Sequence, residues 1–220
     1  MRLSGTLLTA LLLAAAAAGA GDDVKRSTSK KITYYPPSTD PSGFGRDISH
    51  IADKYRLTWS PYFNKELDHI LVRWSSWEWF ATGLNSALEY ENLPLKEYEK
   101  EIAEGREKRE KYLILEVTVA AKTEEFYRLA TEDYWTFRII TDNGELEPVG
   151  VEGKGALRGK TFTSEIDGAG ASTYITDKLF CNDFTVYFKN PYKDTAPEAL
   201  KFVISGKEIT HGFEWRFGEK

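Results

Sequence analysis

With 220 residues, 41% of them hydrophobic and 29% charged, the chain has the composition of a folded globular protein, and wholesale disorder is excluded. A formal net charge of −5 argues against nucleic acid or anionic lipid as partners, since both demand clustered Lys and Arg. Cys181 is the only cysteine, so an internal disulfide is excluded and stability must come from burial and sheet hydrogen bonds.

At the N-terminus Arg2 precedes an apolar run from Leu7 to Ala18, and Ala18-Gly19-Ala20 supplies a small-residue cleavage site. Residues 1–20 therefore read as a secretory signal. The run is shorter than the roughly 18–20 strongly apolar residues that span a bilayer, so no transmembrane segment is expected after cleavage. The expected location is the periplasm, the cell envelope or the extracellular space. Residues 21–45 are rich in Lys, Ser, Thr, Asp and Pro and read as a flexible polar linker or N-terminal arm, in which Ile32, Tyr34 and Tyr35 suit a short edge strand. Residues 46–220 remain for a single β-rich globular domain.

Within that domain the spacing around Asn64 predicts a short helix over 64–69, followed by a strand from Ile70 to about Thr82. Gly83-Leu84-Asn85 predicts a turn, and Leu88 and Tyr90 alternate with Glu89 and Glu91 as a second short strand. Pro94 opens a helix whose Leu95, Tyr98 and Ile102 share one face, and whose later turns carry interleaved Glu and Lys at i,i+4. From Leu113 to Ala121 the apolar residues alternate with polar ones, the period-two signature of a half-buried strand. Thr123 predicts a cap for a short bridging helix reaching Thr131. Trp135, Phe137 and Ile139 repeat the alternation, and Asp142-Asn143-Gly144 supplies a tight hairpin turn from which a strand returns through Leu146 to Val151. Further strands are expected near Thr161 to Ile166, over Phe184 to Phe188, and as a hairpin formed by Leu200 to Ile204 and Phe213 to Phe217. This pattern predicts a mainly β fold, an antiparallel β-sandwich of immunoglobulin-like type with one or two short helical insertions. The alternative is an α+β fold with helices on one face of an antiparallel sheet.

Motifs for catalysis are missing. The run Gly155 to Thr161 ends like a phosphate-binding loop, but the glycine required five positions before Gly159 is Lys154. His50, His69 and His211 show no metal-ligand spacing, and there is neither a calcium-loop motif nor a serine-nucleophile elbow. Cys181 reads as a small buried hydrophobe, its thiolate reading requiring His211 alongside. Glu124 and Glu125, and Glu89 and Glu91, are explained by capping and by solvent-facing strand positions before any glycosidase role. No metal and no cofactor are expected. What remains is an aromatic group, Trp59, Tyr62, Phe63, Trp74, Trp77, Trp79 and Phe80, whose exposed members would stack on sugar rings or accept an apolar partner, and whose buried members would fill the core. The functional expectation is an exported, non-catalytic interaction or assembly module with another envelope protein as partner. Glycan binding through Trp59, Trp74, Trp77, Trp79 and Phe80 is the second reading, and an extracytoplasmic hydrolase the third.

Overall fold

The computed structural model describes residues 27–61, 64–123, 129, 132–141, 144–153, 158–168, 171–192, 195–207 and 209–218, and between 158 and 178 the description covers the backbone. Residues 1–20, expected to be an export signal, and the turn expected at Asp142-Asn143 lie outside these residues, as do Tyr62, Phe63 and most of the helix expected before Thr131.

The fold is mainly β, with two sheets packed face to face. One sheet has the strand order β1 (Ser27–Ile32), β11 (Thr210–Phe217), β10 (Ala199–Ser205), β5 (Thr136–Thr141) and β6 (Gly144–Leu146). The other runs β2 (Arg56–Trp59), β3 (Leu67–Trp74), β4 (Tyr112–Ala121), β9 (Ala171–Lys189) and β7 (Pro148–Gly153), with β8 (Arg158–Gly168) also on β9. All of these pairings are antiparallel except β1 with β11. Alternation builds the core: Ile70, Val72 and Trp74 of β3, Leu115, Val117 and Val119 of β4, and Phe184, Val186 and Phe188 of β9 face Phe137, Ile139, Phe202, Ile204, Phe213 and Trp215 from the opposite sheet. Phe202 sits at the centre, stacked on Phe137 at 6.1 Å and edge-on to Phe188 at 6.1 Å. Each such ring withdrawn from water stabilises the sandwich by roughly 1.5–3 kcal/mol.

Three helices of the described residues are α1 (Ile48–Tyr55), α2 (Trp77–Tyr90) and α3 (Leu95–Lys111). The last two join β3 to β4 and are not short: α2 has 14 residues and α3 has 17. They fold over the outward side of the second sheet, where Lys108 of α3 stands over the Tyr187 ring and Trp79 of α2 lies against the Arg73 guanidinium.

Four expectations need correction. Over 64–82 helix and strand are exchanged: Asn64 does accept from Glu66 and Leu67 amides at 2.8 Å, but the chain then enters β3, and α2 occupies the predicted strand. The helical period of α2 is carried by Trp77, Ala81, Thr82, Asn85 and Ser86, a buried face that after Trp77 consists of small and polar residues an apolar-only pattern does not register. For the same reason Gly83 to Tyr90 form no turn and strand; they continue α2 to its end, past which Asn92 takes a left-handed φ of 57°. The strand returning from Gly144 (φ 118°) divides, Gly144–Leu146 staying beside β5 while Pro148–Gly153 crosses to β9 in the other sheet. Finally, residues 27–45 pack on the domain where a linker was expected: β1 lies parallel to β11, Tyr34 stacks on Trp74 at 5.9 Å, and the Trp77 indole donates to the Thr39 carbonyl at 2.9 Å. Ile32 is buried in the core as part of that edge strand.

Candidate functional site

The aromatic residues singled out in the sequence divide between three environments. Trp74 ends β3 with 5% of its surface exposed, wedged between Tyr34, Tyr55, Trp215 and Phe217, and Trp77 opens α2 with 2% exposed. Trp79 and Phe80 are half-buried on α2, the first under Arg73 (4.4 Å from guanidinium carbon to ring centre), the second under Arg109 (4.0 Å). Trp59, half-buried on β2, is a separate case, stacked on the His211 ring at 4.2 Å across the open edge between the two sheets. Trp74, Trp77, Trp79 and Phe80 thus gather at the β3–α2 corner, Trp59 lies elsewhere, and one face of each half-buried ring is already covered.

The corner is organised by Arg109, which stands among the interleaved Glu and Lys of the later turns of α3. Arg109 is only 8% exposed. Its Nε donates to the carbonyls of Ser75 (3.1 Å) and Ser76 (3.2 Å), Nη1 to the Gly105 carbonyl (3.2 Å) and Nη2 to Ser75 Oγ (2.8 Å). Asn190 Nδ2 in turn donates to the Arg109 carbonyl at 2.8 Å. The residue is legible only as a pair: Gly105 and Arg109, one helical turn apart, form the face of α3 on which Phe80 rests. Beside it, Lys54 and the buried Tyr55 hydroxyl converge on the Glu78 carboxylate, and burial followed by the Glu78 charge pushes the Tyr55 phenol far above its ordinary range. A tyrosine held neutral in this way is a hydrogen-bond donor and no nucleophile.

His50, His69 and His211 occupy three different places: exposed on α1, beside Asp68 at 2.8 Å on β3, and buried on β11 with Nε2 3.0 Å from Thr28 Oγ1. Cys181 pairs with Ala120 in the β4–β9 ladder and packs with Leu179, whereas His211 belongs to the opposite sheet.

A second feature is made by the backbone. β4 ends at Ala121, opposite Phe180, yet β9 begins at Ala171, and residues 171–179 pair only with β8 among the described residues. The β8–β9 ribbon therefore runs out past the end of the sheet by about 31 Å, nine residues at 3.4 Å per residue. It leaves from the end that carries the β4–β5 and β10–β11 connections, since β5 begins opposite the last residue of β10. Along both of its edges the backbone amides and carbonyls that point away from the ribbon have no neighbouring strand among the described residues. The sequence placed a strand near Thr161 to Ile166 but not its partner over 171–179, because Thr, Tyr, Asp and Lys there break the apolar alternation.

No family model matches the chain, and no curated protein or solved structure shows significant similarity to it.

Proposed function

We propose that the protein is an exported, non-catalytic interaction module, an immunoglobulin-like sandwich that engages a protein partner by strand addition to the β8–β9 ribbon. The projecting ribbon is the observation that carries this reading. A two-stranded ribbon alone in water is marginally stable, and a third strand satisfies its outward backbone groups while adding cross-strand side-chain pairs. Thr161, Thr163, Thr173 and Thr176 suit a pleated surface, and Lys160, Glu165, Asp167, Asp177 and Lys178 are the charges that restrain indiscriminate edge pairing.

Strand order supports the immunoglobulin-like assignment. In that fold one sheet has the order A-B-E-D and the other C-F-G, with C′ added beside C in variable-type domains. Here β3-β4-β9-β7 and β11-β10-β5-β6 follow as A-B-E-D and G-F-C-C′, and the eight strands take those letters in chain order. The two long helices are then an insertion between A and B, the ribbon is an extended D–E hairpin, and β1 and β2 are additional edges. In place of the disulfide between B and F, the core carries the Phe137, Phe202 and Phe188 cluster. On this correspondence the ribbon projects from the B–C and F–G end, where variable domains place their binding loops. The composition of residues 1–20 supports export.

The test is a photo-crosslinking amino acid placed at Thr163 on the ribbon and, in a second preparation, at Glu101 on the exposed side of α3. Each is exposed to an envelope extract of the source cells. The Thr163 preparation should give a discrete adduct that excess unlabelled protein competes away and that a protein shortened by residues 161–178 does not. Equal adducts from both positions, or competition by the shortened protein, would remove the ribbon from the function.

A further inference from the structure

The Arg109 guanidinium is buried and carries a full positive charge, yet no carboxylate lies within 4 Å of it among the described residues; the nearby Glu116 is paired with Arg73. Its four hydrogen bonds go to neutral oxygens and use three of its five N–H groups, leaving one on each terminal nitrogen. Burial holds its pKa down to about 10, which still leaves it protonated at neutral pH. Buried charges of this kind are normally paired.

Arg109 lines a cavity of about 20 Å³, shared with Ser75, Ser76, Trp77, Asn190 and the Tyr34 and Tyr35 segment. Room for one water requires about 10–15 Å³, so the space is large enough for a single small species. The lining favours negative charge. Ser75 Oγ accepts from Arg109 and keeps its own proton to donate. Ser76 caps α2, so the positive end of a 14-residue helix opens on the same space.

We propose that this cavity is a site for one halide-sized anion, chloride in practice, which neutralises Arg109 and thereby locks the β3–α2 corner to the end of α3. The site does not depend on the ribbon or on any partner.

The test compares thermal unfolding of the whole protein in sodium chloride and in sodium gluconate at equal ionic strength, together with anomalous diffraction from bromide-soaked crystals. Chloride should stabilise saturably: for half-filling near 10 mM, the folding constant should rise roughly tenfold between zero and 100 mM, through preferential binding to the folded state. A bromide peak should stand in the cavity beside Arg109. In Arg109→Gln the chloride dependence should vanish; should that variant fail to fold, Ser75→Ala, which removes one donor to the anion and the acceptor of one Arg109 hydrogen bond while the other three remain, should weaken the dependence and leave the fold intact. Identical melting in the two salts, or a cavity holding water alone in the bromide-soaked crystal, would overturn the proposal.

Discussion

Replacing Gly105 by Ala in α3 separates packing from propensity, because the two act in opposite directions. In an ordinary helix this change stabilises by about 1 kcal/mol, since glycine retains more freedom in the unfolded chain. Here the added Cβ would stand 2.0 Å from Phe80 Cε1 and 2.3 Å from its Cζ, far inside contact distance. The ring cannot simply turn away, for the Arg109 guanidinium lies 4.0 Å from its centre and Trp77 packs 6.0 Å from it. Overpacking of a filled site costs about 1–3 kcal/mol, and a contact this close belongs at the upper end. The net expectation is a loss of about 2 kcal/mol, or roughly 4–8 °C in melting temperature for a domain of this size. Gly83→Ala in α2 is the control: nothing lies within 4 Å of its would-be Cβ, so it should stabilise by up to about 1 kcal/mol. Urea unfolding followed by circular dichroism, with m-values compared, measures both. In a Phe80→Ala background the penalty at Gly105 should largely disappear, since contacting residues do not add. A Gly105→Ala protein as stable as the parent would refute the close helix contact and with it the placement of Arg109.

Other outcomes follow from burial and capping. Of six tryptophans, Trp74, Trp77, Trp135 and Trp215 are buried, leaving Trp59 and Trp79, so iodide should reach at most about a third of the indole fluorescence; quenching of most of it would contradict the packed corner. Hydrogen bonds from the Ser49 side chain and then from the His50 amide hold the Asp47 carboxyl below its ordinary value at the start of α1. A depressed folded-state value gives stability that is present above the unfolded pKa near 3.9 and is lost as pH falls through the folded one. Asp47→Asn, which keeps a capping oxygen without titrating, should therefore flatten part of the stability loss between pH 5 and 2 in urea titrations, and an unchanged slope would count against the cap. Joining Lys160 to Leu179 through a two-residue Asn-Gly turn removes pairing that the ribbon makes only with itself, so calorimetry should find the melting temperature within about 2 °C of the parent.

Strands announced themselves wherever one face was apolar and the other polar. Leu113 to Ala121, Leu200 to Ile204 and Phe213 to Phe217 are strands within a residue or three of where alternation put them, and Gly144 takes the positive φ expected of it. The two-layer architecture follows from the number of such segments. What escaped is where burial is not apolar. α2 buries Thr82, Asn85 and Ser86, Asn85 Nδ2 holding the Pro41 carbonyl of the N-terminal segment at 3.0 Å, so its inward face looks polar in sequence. Arg109 hid for the same reason, a buried cation within a charged run. The aromatic group was conspicuous because of its residue types, but those types serve core and surface equally, and the structure puts Trp74 and Trp77 in the interior.

The ribbon illustrates the opposite limit, a segment whose pairing is evident but whose stability is not intrinsic. Ordering each residue's backbone costs about 1–2 kcal/mol, while cross-strand pairs return only about 0.2–1 kcal/mol apiece. Within the sandwich the deficit is met by the buried face: Phe184, Val186 and Phe188 of β9 lie in the core. On the tip side of Phe180 the strand pairs only with β8 among the described residues, so the same strand passes from a strongly supported half to a weakly supported one. Native-state hydrogen exchange should resolve that boundary along β9, with slow amides over 182–188 and fast ones over 172–178 in the isolated protein. Binding of a partner strand should then slow the second group without changing the first. Equal protection along all of β9 in the isolated protein would mean that the ribbon is already supported, and strand addition would lose its physical motive.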